Sequence, residues 1–305
     1  MAAYLGVDVG GTKTALRLEA DGHAAVESVV RWPVGGGVRH DLGVLARAVR
    51  EVCAGRPVLT AVGVAMPATV DGAGRVVGWP GRPSWTGLDL GAYLRELFPT
   101  ARVSWADDGD LAAVAEAAVA GRRDVVYVGV GTGVGGGIVL DGRPLPGPGR
   151  GSCELGHMVV DRAGPACDCG RRGCVQAVAS GPATLRRAAR GRGVGEVSAA
   201  ELRQAWLDGA QWARAAVRDS ADAVALAVVG VAELLGPDVA VVGGGFAVGL
   251  PGYAAVVAEH IRASARPGRP GPAVREAVLG PLSSLSGAVL LARDQLAEAQ
   301  PADSD

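Results

Sequence analysis

His157, Cys167, Cys169 and Cys174 carry the most specific chemistry in the chain. Three thiolates and an imidazole within eighteen residues can close a tetrahedral zinc site with no open position. Such a site is structural rather than catalytic. The chain has five cysteines, an odd number, and three of them cluster. That pattern points to metal rather than to a disulfide framework, and a reducing, cytoplasmic setting follows. Cys53 and Cys153 have no place in the set and read as small hydrophobes.

Two glycine turns could cradle an anion. The first is Asp8-Val9-Gly10-Gly11-Thr12-Lys13. Glycine lets the backbone come close to an anion and aim N–H groups at it. Thr12 adds a hydroxyl, and Asp8 could hold water around Mg2+. The second turn is Gly131-Thr132-Gly133-Val134-Gly135-Gly136-Gly137. It contains a G-x-G-x-x-G match, yet a strand follows it and not a helix, so a dinucleotide site is excluded. Taken together, the two turns point to a clamped phosphate chain. Gly243-Gly244-Gly245 offers a flat surface, free of side chains, for a nucleotide base. Asp107-Asp108-Gly109-Asp110 adds three carboxylates that invite general-base work. Asp110 reads as the N-cap of a helix starting at Leu111.

Strands must position these turns. Ala3–Val9 and Thr14–Ala20 read as strands around the first turn, Val125–Val130 and Val134–Leu140 as strands around the second. This internal echo indicates two related halves. Other strands are expected at Leu59–Met66, Arg75–Trp79, Arg102–Ala106, Val239–Val242 and Val274–Leu279. Helices are expected at Arg39–Ala54, Leu88–Phe98, Leu111–Ala120, Pro182–Arg190, Ala199–Leu207, Ala210–Leu235, Pro251–Ala263 and Ser284–Ala299. The alternation is that of an α/β protein. The expected division is an N-terminal domain over 1–120, with the final helix 284–300 packed back on it, and a larger domain over 121–283 carrying the zinc loop 157–174.

Composition excludes several classes. The 305 residues include 30 basic and 31 acidic ones. The balance argues against a nucleic-acid partner. Lysine occurs once, at Lys13, inside the first phosphate turn. Half the residues are apolar, which argues against disorder. Aromatics are 4%, so alanine, valine and leucine must build the core. The uncharged stretches Val125–Leu140 and Val239–Ala258 are broken by glycine and read as strand and turn rather than as membrane spans.

The ordered set of motifs resembles the ROK family of bacterial sugar kinases and sugar-responsive repressors. The resemblance runs from Asp8–Lys13 through Asp108–Glu116, Gly131–Gly137, Glu154–His157, Cys167–Cys174 and Gly243–Gly245 to Ser286-Gly287-Ala288. It implies an actin-like (hexokinase-type, ribonuclease H-like) two-domain α/β fold with a cleft. It also implies an ATP-dependent kinase acting on the primary 6-hydroxyl of a hexose or hexose-like substrate. By position, Gly10, Gly11, Thr12, Lys13, Thr132 and Gly133 would face the ATP phosphates. Asp8 would sit near Mg2+, and Gly243 and Gly244 near the adenosine. Asp108 would take the hydroxyl proton. Asp107, Glu154, His157, Gln176 and Ala68 would line the substrate. The family implies a homodimer or homotetramer. A repressor would need a DNA-binding region ahead of Asp8.

Three positions depart from the family. Asp107 stands where it usually has Asn, Gln176 where it has Glu, and Ala68 where it has Gly. An ionised Asp only accepts hydrogen bonds, whereas Asn also donates. An acceptor at 107 favours an ammonium, as on a 3-amino sugar such as kanosamine. Glucose, a C7 cyclitol from antibiotic biosynthesis, polyphosphate as donor and a non-catalytic sugar sensor remain open alternatives.

Overall fold

In the computed structural model, which describes residues 2–32, 36–146 and 151–297, the chain builds two five-stranded sheets with one strand order. β1 (Ala3–Val9), β2 (Lys13–Ala20) and β3 (Val26–Arg31) run as an antiparallel meander. After α1 (Val38–Cys53), β4 (Ala61–Ala65) lies parallel to β1. The small hairpin of β5 (Thr69–Val70) and β6 (Val76–Gly78) leads to α2 (Leu90–Leu97) and then to β7 (Arg102–Ala106), parallel to β4. The order across the sheet is β3-β2-β1-β4-β7.

α3 (Asp108–Ala120) leads to the second sheet. There β8 (Val125–Val130), β9 (Val134–Leu140) and β10 (Arg143–Leu145) repeat the meander. The helices α4 (Val175–Ala179), α5 (Gly181–Arg192), α6 (Ala199–Leu207) and α7 (Gln211–Leu235) intervene. β11 (Val239–Gly243) then joins β8 in parallel. α8 (Gly245–Val248) and α9 (Tyr253–Ser264) precede β12 (Ala273–Glu276), which pairs with β11. The order β10-β9-β8-β11-β12 is that of the first sheet, so the echo in the sequence is an echo in topology. α10 (Ser283–Ala297) follows.

Five elements fall outside the sequence expectation: β3, β5, β10, α4 and α8. Each is short or borders solvent. β3 alternates half-buried and exposed residues as Val-Glu-Ser-Val-Val-Arg, a weak signal with two charges in six residues. Of the expected closing helix, residues 298–300 lie outside the described residues.

The chain divides into two compact units. One takes in Met1–Ala115, Pro146–Ser152 and Leu282–Asp305, the other Glu116–Leu145 and Cys153–Pro281. Each has its own core; valine, alanine and leucine dominate both, and the first adds Trp32, Trp79, Trp85 and Phe98. In the first unit α10 lies directly on β1 and β4. The approach is so close that a Cβ on Gly63 would sit 2.0 Å from the carbonyl oxygen of Ala288. Among the described residues no helix is long and apolar enough to cross a membrane.

Candidate active site

Parallel pairing sets Asp8, Ala65 and Ala106 side by side across the first sheet. The segments that follow these strands therefore leave the sheet at one end: Gly10–Lys13 after β1, Pro67-Ala68 after β4, Asp107-Asp108 after β7. Open α/β sheets bind ligands outside the carboxyl ends of parallel strands. The β1–β2 turn closes with the Gly10 N–H donating to Lys13 O at 2.9 Å, and the Thr14 hydroxyl donates to Asp8 O at 3.0 Å.

The Asp8 carboxyl is pushed up to about 7. Burial is the main cause, the nearby Asp108 charge adds to it, and Lys13 opposes it. Two carboxylates that repel each other at a desolvated position fit a divalent cation, which favours their ionised forms.

Asp107 Oδ1 accepts the Gly109 N–H at 2.9 Å, the bond of an N-cap to the second helical residue. Helix α3 accordingly begins at Asp108. The expected start at Leu111 is corrected by three residues, because Asp107 is the first carboxylate able to reach an orphan N–H of the turn. Asp110 is not the cap; it lies buried inside the first turn.

In the second unit, β8 and β11 pair in parallel with Gly129 opposite Gly243. Thr132-Gly133 and Gly243-Gly244 thus emerge at the same end of that sheet. Gly131 N–H donates to Gly133 O at 2.9 Å, and Gly181 N–H to Gly131 O at 2.8 Å. Gly244 has φ +87°, and a Cβ there would lie 2.4 Å from the Val130 nitrogen. Only glycine fits, and a bare backbone surface results. Gln176 Oε1 accepts the Val134 N–H at 3.2 Å. Placed by sequence with the substrate, this side chain also braces the glycine turn.

Glu154 precedes the 3-10 turn Leu155–His157. Its carbonyl accepts the His157 N–H at 3.0 Å, which holds the two residues as one motif. Glu116 is buried. Its two carboxylate oxygens accept the N–H groups of Val278 and Leu279 at 2.9 and 3.0 Å, fixing the segment after β12.

The four expected metal ligands converge. Their donor atoms all lie within 4.8 Å of one another. Cys167 Sγ is 3.7 Å from His157 Nδ1, and Cys169 Sγ is 3.6 Å from Cys174 Sγ. Zn–S bonds of ~2.3 Å in tetrahedral geometry place sulfurs ~3.8 Å apart. The donor set therefore fits zinc. Nδ1 of His157 is the nitrogen on the thiol side. Metal there would fix the proton on Nε2 and make that edge of the ring a hydrogen-bond donor.

The sequence reading missed a group behind the first turn: Trp32, Asp41, Arg82 and Trp85. The available signal was aromatic placement. Four of the six tryptophans, at 32, 79, 85 and 105, fall in the first 105 residues of a chain poor in aromatics.

The chain as a whole is similar to known proteins. A model described as "ROK family" matches residues 4–295. The chain is 50% identical over 291 residues to a kanosamine kinase of Amycolatopsis mediterranei, covering 95% of each chain. Among solved structures it is similar to a ROK hexokinase from Thermus thermophilus, with TM-score 0.85, 33% identity and coverage of 97% of this chain and 100% of that one. It is also similar to a ROK family glucokinase from Streptomyces griseus solved with glucose and AMPPNP. There the TM-score is 0.77 and the identity 26%, over 96% of this chain and 100% of that one.

Proposed function

The chain belongs to the ROK family and is a carbohydrate kinase, and from that premise we propose that its acceptor is a 3-amino sugar of the kanosamine type, phosphorylated by ATP at the primary 6-hydroxyl. A non-catalytic sensor is set aside. The observation that carries the acceptor is Asp107. One of its oxygens is fastened to Gly109 N–H at the start of α3, so the carboxylate is fixed in direction. A fixed carboxylate where the family has an amide replaces a mixed donor and acceptor with a charged acceptor. Its natural partner is an ammonium, through a charge-assisted hydrogen bond. The 50% identity to a kanosamine kinase supports the same reading.

The residues take these roles in the proposal. Asp108, in the first turn of α3, accepts the proton of the primary hydroxyl. Gly10, Gly11, Thr12 and Lys13 bind the ATP phosphates, as do Thr132 and Gly133. Lys13 brings a compact charge on a flexible stem. Gly243 and Gly244 lie against the adenosine. Asp8 stands by Mg2+, which when bound neutralises charge on the transferring phosphoryl group. Glu154, Gln176 and Nε2 of His157 contact the sugar, and Ala68 lines its place. Zinc on His157, Cys167, Cys169 and Cys174 is structural. Thiolate ligands need a reducing compartment, which supports a cytoplasmic setting. A homodimer or homotetramer belongs to the same reading.

The test is kcat/KM across kanosamine, glucose, mannose, N-acetylglucosamine and a valiolone-type cyclitol. Kanosamine should lead, and a clear preference for glucose overturns the acceptor assignment. Asp108→Asn should lower kcat at least ~10²-fold if general-base catalysis operates; near-normal turnover removes Asp108 from that role.

A further inference from the structure

Three consecutive carbonyl oxygens of the β1–β2 turn are held by neighbouring side-chain and backbone donors. Trp32 Nε1–H donates to Gly10 O at 2.6 Å. Arg82 Nε–H donates to Gly11 O at 3.1 Å. The main-chain N–H of Trp32 donates to Thr12 O at 3.0 Å. In a trans peptide the C=O of one residue and the N–H of the next point in opposite directions. Anchoring these three carbonyls therefore turns the N–H groups of Gly11, Thr12 and Lys13 away from their anchors. Successive N–H groups presented in this way make an anion-binding concavity.

Arg82 is itself held in place. Its Nη1 lies 2.7 Å from Asp41 Oδ2, and Asp41 is completely buried. The same oxygen accepts Trp85 Nε1–H at 2.9 Å. The guanidinium carbon lies 5.3 Å from the centroid of the Trp32 ring. Trp85 meets Trp32 and Trp79 edge-on, at centroid distances of 6.2 and 5.0 Å. A planar fork bonds a carbonyl and a carboxylate at once with its flat face on an indole, a fixed geometry that the compact, flexibly held ammonium of lysine lacks. Two of the three guanidinium nitrogens are committed to protein acceptors. Arg82 thus shapes the turn. A buried ion pair contributes little to stability on balance, so what the arrangement supplies is geometry.

We propose that Asp41, Arg82 and Trp32 form a clasp that presets the first glycine turn for the phosphates of the nucleotide. They are positioning residues, and the proposal rests on the assignment of Gly10–Lys13 to those phosphates. Without the clasp the turn must be ordered at the moment of binding, which weakens nucleotide affinity while leaving the sugar's contacts in place.

The experiment compares Arg82→Gln, Arg82→Lys, Trp32→Phe and Thr12→Ala with the parent enzyme. It measures KM for ATP, KM for the sugar acceptor, kcat, the calorimetric Kd of ADP, and Tm. Arg82→Gln should raise both the KM for ATP and the Kd of ADP ~10-fold or more, since small misplacements at a positioned site are costly. The KM for the sugar should stay within ~2-fold. Arg82→Lys should recover part of the loss. Trp32→Phe keeps an aromatic ring and loses the indole N–H bond to Gly10, and should fall between. Nucleotide and sugar constants that stay unchanged, or move equally, while Tm falls would overturn the clasp and leave a structural role. Thr12→Ala separates the two levels. Unchanged ADP affinity in that variant, with Arg82→Gln also unchanged, removes the phosphate assignment itself. Weakened affinity there, with Arg82→Gln unchanged, removes the clasp alone. If Arg82→Gln does not fold, Arg82→Lys and Trp32→Phe carry the comparison.

Discussion

Gln176 and Val134 are joined by a hydrogen bond from the Val134 main-chain N–H to the Gln176 side-chain oxygen, 3.2 Å long. Val134 is the first residue of β9, immediately after Gly131–Gly133, so a side chain proposed to contact the sugar also fixes the exit of the second glycine turn. Gln176→Ala should lower kcat/KM ~10-fold or more, because it leaves a main-chain donor unpaired. Gln176→Glu keeps the acceptor and adds a charge beside the turn proposed to hold the ATP phosphates. It should raise the KM for ATP several-fold with Tm nearly unchanged, as steady-state kinetics and thermal melts would read.

Asp107→Asn restores the amide usual in the family. The cap on Gly109 N–H survives, since Asn caps helices as well as Asp. Stability should therefore hold, while the ratio of kcat/KM for kanosamine to that for glucose falls ~10-fold or more through loss of one charge-assisted bond. An unchanged ratio would remove position 107 from specificity.

The raised carboxyl of Asp8 predicts a pH signature in the metal-free protein. Its native value is about 7 against 3.8 for the free group. Between those limits the folded state binds more protons than the unfolded one, so stability falls as pH rises through the window. Asp8→Asn lacks this titration. Its Tm should exceed that of the parent by at least ~2 °C more at pH 8 than at pH 4. A pH-independent difference would mean that Asp8 is not held protonated.

Zinc should be present at one ion per chain, measurable by a chromophoric chelator after unfolding. Cys174 is completely buried and Cys169 exposed, so removal of the metal exposes thiols and loosens the segment around Leu155–His157. Stripping zinc should lower Tm and raise the KM for the sugar more than the KM for ATP, through His157. Added Mg2+ should not restore either, because thiolate sites select zinc over hard cations.

Much of this site is legible in the sequence because its parts are local. Asp8–Lys13, Gly131–Gly137 and the zinc ligands each lie on one short stretch, where residue type and spacing state the chemistry directly. The turns lie between strands that the alternation of apolar residues reveals, and β1, β7, β8, β9 and α6 fall at the expected residues. The clasp is different in kind. Asp41 and Arg82 are 41 positions apart and meet only when α1 and the loop after β6 pack in the same unit. Nothing in the spacing of either announces the other. The bond of Gln176 to Val134 spans 42 positions and is invisible for the same reason. The start of α3 is not legible in the sequence because three aspartates compete to cap it, and which one succeeds depends on backbone direction rather than composition.

The resting place of α10 bears on the order in which the protein is made. Domains generally fold as they leave the ribosome, N-terminal first, at ~5–20 residues per second of synthesis. Here the first sheet is covered by a helix beginning at Ser283, packed so closely that Gly63 faces the Ala288 backbone. Strands β1 and β4 must therefore wait, with one face uncovered, while more than half the chain is still being translated. The second sheet needs no such late arrival. Nascent chains should thus complete the later-encoded unit first. During that interval the exposed face of β1 and β4 is the segment on which a chaperone would act.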